Sequence, residues 1–238
     1  MTSGLRANIS AMKTLLLALA WILVCLSSTF SQQTTVSPFD VYDVGSKHIS
    51  LPPPEGFVEV FRFAKPDIKT QFQNGEDPGN EILAAYLPKT RATDLETSEL
   101  RNQGFIARVS IRKTFRSRDL SADEFKRIAI EYEKNFAGQV DPNSSLMKEV
   151  EAGKIAKLTD AKQLGVFEKG DRALGMAVIT TVEGRGIKIP MLITAAMVHV
   201  RERLLYVYVL KVMPSDEDII AVRDLSKKWT DTILAANK

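Results

Sequence analysis

The sequence predicts an α+β protein: a mostly antiparallel sheet with doubly buried central strands and helices on both faces, an α/β/α sandwich. The first observation is Ala173–Met213. Ala173–Glu183, Ile187–His199 and Leu204–Met213 are rich in Val, Ile, Met, Thr and Tyr, and only Gly184-Arg185-Gly186 and Val200–Arg203 separate them. Apolar runs split by such short breaks read as consecutive antiparallel strands. The second observation is that these runs are apolar on both parities. Ile187, Ile189, Met191, Ile193, Ala195 and Met197 share one face, with Leu192, Ala196 and Val198 on the other. Leu204, Tyr206, Tyr208 and Leu210 likewise oppose Leu205, Val207 and Val209. A strand apolar on both faces has to be covered on both. The third observation is a pair of well-marked amphipathic helices, which can supply the cover.

The first helix is expected over Leu120–Gly138. Ser121 caps it, Glu124 completes a capping box, and Leu120 staples to Phe125. Phe125, Ile128, Ala129, Tyr132 and Phe136 form its apolar stripe, which Gly138 closes. The second follows Pro214. Ser215 caps it, and Asp216, Glu217 and Asp218 load its first turn with the charge that the helix dipole favours. Ile219, Val222, Leu225, Trp229 and Ile233 recur at helical spacing, so Trp229 is expected to pack against the buried strands.

Upstream, Lys47–Leu51 reads as a short first strand that Pro52-Pro53-Pro54-Glu55-Gly56 stops. Phe57–Phe63 and Glu81–Leu87 read as extended, and Asn74–Gly79 as a loop. Lys89–Gly104 reads as a loop or a weak helix, Leu146–Gly153 as a short helix, and Ala156–Phe167 as the lead into the sheet. In Phe105–Arg118, Phe105, Ala107, Val109, Ile111 and Phe115 alternate with Arg108, Arg112, Arg116 and Arg118. That pattern reads as a half-buried strand with an arginine stripe on its open side, ending before Arg118 so that this last arginine leaves the stripe.

The N-terminus is read apart from the fold. Arg6 and Lys13 precede an uncharged run with an apolar core, Leu15–Leu26, and Thr29 and Ser31 suit a cut before Gln32. This is the layout of a secretory signal peptide, residues 1–31, with an uncleaved anchor as the alternative. The core is shorter than the roughly 20 residues of a spanning helix. The chain then divides into that signal, a flexible leader over 32–46, and a single sandwich domain over 47–238, exported to the periplasm or the exterior. Membrane contact is expected only through an uncleaved signal. Cleavage removes the one cysteine, Cys25, and with it thiol, disulfide and thiolate-metal chemistry. It also removes Arg6 and Lys13, so 32 basic against 29 acidic residues become 30 against 29, a net charge of +1. A near-neutral chain does not point to nucleic acid.

No motif for chemistry appears. Gly184-Arg185-Gly186 lacks the rest of a dinucleotide fingerprint, and there is neither a P-loop nor a nucleophile elbow. Asp141, Asn143 and Ser145 start like a calcium loop, but Leu146 and Ala152 replace its glycine and its glutamate. With two histidines, His48 and His199, a His-rich zinc site is out. No catalytic residue, metal ligand or cofactor is therefore assigned. His199, near the end of its strand, reads as structural. Tyr206 and Tyr208 read as core. The candidate ligand-binding residues are Arg108, Arg112 and Arg116, because guanidinium forks suit carboxylates and phosphates. Against this stands a solvated face of paired charges.

Leu51-Pro52-Pro53-Pro54-Glu55-Gly56-Phe57, a short strand and Pro-rich turn into Gly-Phe, resembles the opening of the Mog1/PsbP-like α/β/α sandwich family. So does the ending, a buried strand over Leu204–Met213 and a Trp-bearing helix over Asp216–Ala236. The similarity runs from about Lys47 to the C-terminus. It implies a protein that binds macromolecules and is not an enzyme, and it carries over no particular residue. The leading expectation is an exported, non-enzymatic binding or accessory protein, recognising an unidentified protein or an anionic ligand. The alternative is a hydrolase or transferase using carboxylates and His199. A purely structural exported domain is the third reading.

Overall fold

A computed structural model describes residues 41–64, 79–92, 104–136, 157–184 and 187–238, together with Pro66, Lys69, Phe72 and Gln73. The signal, the start of the leader, Asn74–Pro78 and Leu146–Gly153 lie outside the described residues.

The chain is α+β. Strands β1 (Val41–Val44) and β2 (Lys47–Ser50) form a two-stranded hairpin. The other strands are β3 (Phe57–Glu59), β4 (Asn80–Pro88), β5 (Phe105–Arg112), β6 (Lys157–Lys169), β7 (Ala173–Gly184), β8 (Ile187–Val200) and β9 (Arg203–Val212). They build one seven-stranded sheet in the order β3-β4-β5-β9-β8-β7-β6. Every described pairing in it is antiparallel. Among the described residues, helices α1 (Ala122–Phe136) and α2 (Asp216–Ala236) accompany it, beside a single helical turn at Lys89–Ala92.

The expected alternation of the buried strands is present. Met191, Ile193, Met197, Tyr206, Tyr208 and Leu210 share one cluster with Phe125 and Tyr132 of α1. Leu192, Ala196, Val198, Leu205, Val207 and Val209 share another with Val222, Trp229 and Ile233 of α2. Adjacent residues of one strand thus enter different clusters, as the two-residue period of a strand requires. Trp229 is 1% exposed, meets Tyr86 edge-to-face at 5.4 Å and donates its Nε1–H to the Pro52 carbonyl at 2.7 Å. The Pro-rich turn is fastened to the last helix by that bond.

Both helix starts carry the predicted chemistry. Glu124 accepts from the Ser121 N–H at 3.0 Å, and the Glu124 N–H donates to Ser121 Oγ at 3.2 Å. The Ser215 N–H and hydroxyl both donate to Asp218 Oδ2, at 2.7 and 3.0 Å. Those backbone donors, first among the causes, hold the Glu124 and Asp218 carboxyls below their ordinary range. At the far end of α2, Asn237 caps by its side chain. Its Nδ2 donates to the Ile233 carbonyl at 2.8 Å and to the Ser50 carbonyl at 2.7 Å, while its Oδ1 accepts from the Ser50 N–H at 2.8 Å.

Four expectations are corrected. The flexible leader expected over residues 32–46 gives way at Val41, because Val41–Val44 pairs with β2 around the two-residue turn Gly45-Ser46. Lys47–Ser50 is a strand but pairs only with β1, outside the main sheet. The extended reading of Phe57–Phe63 stops at Glu59, whose carboxylate accepts the Phe61 and Arg62 N–H groups at 2.8 and 2.9 Å and turns the chain. The long strand over Phe105–Arg118 ends at Arg112, where a 3₁₀ turn, Lys113–Phe115, carries Phe115 into the Phe125 cluster, away from Val109 and Ile111.

Candidate functional site

The arginine stripe does not lie on an open face. Strand β5 runs between β4 and β9, and its pattern is buried from Ile106 to Ile111. Arg108 is 0% exposed and stands opposite Tyr208, its guanidinium 5.3 Å from that ring's centroid. A cation on an aromatic face is attracted by the ring quadrupole, so burial there is compatible with charge. Arg112 is half-buried at the end of the strand. Arg116 lies beyond the 3₁₀ turn, donating to Glu81 Oε1 and to the Asp43 carbonyl at 2.7 Å each. Strand spacing implied three side chains in one row; the structure places one in the core, one at a strand end and one in an ion pair. Arg118 pairs with Glu124 at 2.8 Å.

His199 is held as a core side chain. Its ring stacks on Phe125, centroids 5.4 Å apart and planes 13° from parallel, and Nε2 lies 2.7 Å from the Leu120 carbonyl. Tyr206 and Tyr208 are buried and stacked at 6.4 Å.

Sequence reasoning passed over Arg203, which had been counted as a break between strands. It is 0% exposed, and its guanidinium ties the β8–β9 turn to two other segments, Val44–Ser46 and Arg118–Asp119. Nε donates to the Val44 carbonyl at 3.2 Å. Nη1 donates to the Arg118 carbonyl at 3.1 Å and pairs with Asp119, and Nη2 reaches Ser46 Oγ at 3.4 Å. The bond from Arg203 holds the Asp119 carboxyl below its usual range. The turn before it, Arg201-Glu202, is a two-residue hairpin loop with φ of 45° and 63°. Asn and Gly fill such loops at little cost, whereas Arg and Glu are strained there. Their side chains grip the β1–β2 hairpin: Arg201 donates to the His48 carbonyl at 3.1 Å, and Glu202 pairs with Lys47. Gly45 closes the same contact. Its φ is +62°, and a Cβ there would stand 2.6 Å from the Arg116 carbonyl oxygen. The arrangement is a clamp, with its polar groups turned on one another.

The β6 edge of the sheet has a different character. Strand β6 forms an edge and carries three register shifts against β7, the last between Val166 and Glu168. Phe167 is the extra residue of that bulge. Its partner strand offers Gly175, and two Phe167 ring carbons lie 2.6 Å from where a Gly175 Cβ would be. The ring therefore lies against bare backbone. Arg223 of α2 stands over it at 5.9 Å. Phe167, Ile220, Arg223, Asp224 and Lys227 line a shallow cleft of about 160 Å³. Beside it Lys227 lies 3.0 Å from Asp231 and 3.6 Å from Glu168, whose side chain is 9% exposed. Burial pushes the Glu168 carboxyl up, against the opposing pull of Lys227. Lys227 is in turn held above its ordinary range, first by the Asp231 bond and then by the Glu168 charge. Among the described residues no group of three or more His, Cys, Asp or Glu is placed to hold a metal ion.

No family model and no curated protein matches the sequence. Among solved structures, the crystal structure of the Ran-binding protein Mog1p of Saccharomyces cerevisiae is similar over 84% of this chain and 93% of its own, at 11% identity and a TM-score of 0.32. The resemblance is remote, and at that score it carries no argument about what this chain binds.

Proposed function

We propose that the protein is an exported, non-enzymatic binding or accessory protein, an α/β/α sandwich that presents surface cations to a protein partner or an anionic ligand. The layered reading is supported by the two clusters, one containing Phe125 of α1 and the other Trp229 of α2. The functional reading rests on one observation: two buried side chains that could have served chemistry, Arg203 and His199, bond the protein itself. Arg203 bonds backbone carbonyls, and His199 stacks on Phe125 and bonds Leu120. The chemistry left at the surface is recognition chemistry, with Arg112 half-buried at the end of β5 as the residue of the former stripe best placed to meet a partner. Arg116 contributes there only by leaving Glu81, and Arg108 only by supporting Tyr208. Export is supported by the charged, apolar and small-residue layout of residues 1–31.

The test uses the secreted or envelope fraction of the source cell as prey and the mature protein as bait. Arg112→Glu is expected to lose a captured partner selectively at low salt and to keep its melting temperature, because rim charges govern encounter and are screened by salt. A lower melting temperature with unchanged capture would favour a structural role for Arg112. N-terminal sequencing of the exported chain is expected to start near Gln32. A membrane-bound chain retaining Leu15–Leu26 would contradict export by cleavage.

One observation favours the enzymatic alternative, a carboxylate-based hydrolase or transferase. Glu168 is buried, held above its ordinary range and placed beside a lysine, as general acids often are. His199 is not its partner, since His199 packs against α1 and Glu168 meets Lys227 of α2. Glu168→Gln would abolish any such activity while leaving the Arg112-dependent capture intact.

A further inference from the structure

We infer that the cleft between β6 and α2 is a docking site for one apolar side chain of a partner protein, with a carboxylate beside it. This deepens the binding reading and rests on it, but uses residues on the other flank of the sheet from Arg112. Four features converge there. The bulge at Val166/Glu168 adds an extra aromatic residue, Phe167, whose side chain lines the cleft. Bulges are specific devices that re-aim a side chain. Gly175 leaves room for the Phe167 ring to settle against backbone. Ile220 is the most exposed large apolar residue described, at 67%, and it borders the same cleft. A single exposed isoleucine needs no explanation, but one at the lip of an aromatic-floored cleft extends an apolar surface.

Volume selects the occupant's size. Drug-sized ligands need roughly 300 Å³ or more. A cleft of about 160 Å³ is too small for them. Cavities near 150 Å³ hold a benzene-sized group, which matches a leucine or phenylalanine side chain. Charge selects what lies beside it. Among the described residues Arg223 has no ion pair; its guanidinium rests on the Phe167 ring at 5.9 Å. Lys227 adds a second cation, shared with Asp231 and Glu168, and Asp224 is the single acid of the lining. A guanidinium held near an aromatic ring without an ion pair keeps donors for a carboxylate. The partner is therefore a protein segment with Leu or Phe next to Asp or Glu.

The probe is an acetylated, amidated hexapeptide, Gly-Ser-Leu-Glu-Ser-Gly, compared with its Leu-Gln analogue and with 4-methylpentanoate. The readout is the Ile220 methyl resonance of the full mature protein. The Leu-Glu peptide is expected to shift it and saturate at millimolar concentration. The Leu-Gln analogue and Arg223→Glu should each bind about tenfold more weakly, and high salt should reduce the difference. Gly175→Ala, which pushes on the Phe167 ring, should also weaken binding; Arg223→Glu on the helix surface guards against a misfolded Gly175 variant. Equal binding of the Leu-Glu and Leu-Gln peptides, or no effect of Arg223→Glu, overturns the proposal. Binding of 4-methylpentanoate as tight as the peptide overturns the protein occupant in favour of a small acid. Loss of partner capture in Arg112→Glu with peptide binding intact separates failure at the Arg112 surface from failure here.

Discussion

Arg203, at the start of the central strand β9, and Arg223, on α2 beside the β6 edge, show two uses of the same side chain. Arg203 is fully buried, its donors given to carbonyls of Val44 and Arg118 and to Asp119. Arg223 lies on the Phe167 ring in a shallow cleft. A buried guanidinium costs less when its donors are met, so Arg203 fixes the segments that meet them. A cation over an exposed ring gains about 0.5–1 kcal/mol and gives up little of its hydrogen-bonding capacity. The first arrangement holds a structure together, and the second leaves a group free to recognise something else.

The largest effect should come from removing Arg203. Arg203→Met is expected to cost about 3–5 kcal/mol, since the carbonyls it served are left without donors. Arg223→Met should stay within about 0.5 kcal/mol. Urea unfolding of both variants measures the contrast, and similar midpoints would break it. The two glycines extend the comparison at smaller scale. Gly45→Ala meets backbone, the Arg116 carbonyl oxygen, at a positive φ, and should cost about 2 kcal/mol. Gly175→Ala meets the Phe167 ring at 2.6 Å and, less closely, Glu168 Cβ at 3.2 Å, at an ordinary φ, and should cost about 1 kcal/mol. Thermal unfolding of the pair checks the order.

The smallest effect is a pH dependence of opposite sign at two places. Glu124 and Asp218 are held low by backbone donors, so their contribution is present above the ordinary carboxylate range and is lost as pH falls through their folded values. Glu168 is pushed up by burial. The folded chain then keeps a proton that the unfolded chain releases, so this group's effect on stability worsens as pH rises above the ordinary carboxylate range. Glu168→Gln is expected to gain on the wild type as pH rises above the ordinary carboxylate range. A constant difference in unfolding midpoint across that rise would remove Glu168 as its source.

What the sequence made legible was what depends on neighbours along the chain. The double alternation of β8 and β9, the Ser121–Glu124 box and the stripe carrying Trp229 and Ile233 are local patterns, and they appear where expected. The arginine stripe failed for a non-local reason. Alternation fixes the parity of Arg108, but not that β4 and β9 flank its strand or that Tyr208 faces it. Arg203 was hidden because charge beside a turn usually means solvent. The only sequence signal was a two-residue hairpin loop, Arg201-Glu202, with neither Gly nor Asn to ease it. The cleft was invisible because a bulge at Phe167 exists only once β6 is registered against Gly175 of β7.

The Asn237 amide has a mechanical consequence. Its contacts reach Ser50 on one side and Ile233 on the other. Traction at Lys238 is therefore carried across to β2 through one side chain before α2 can be peeled from its C-terminal end. A tether placed there loads the first hairpin and the last helix together. Trimming two residues separates these loads, leaving the end of α2 to fray by itself.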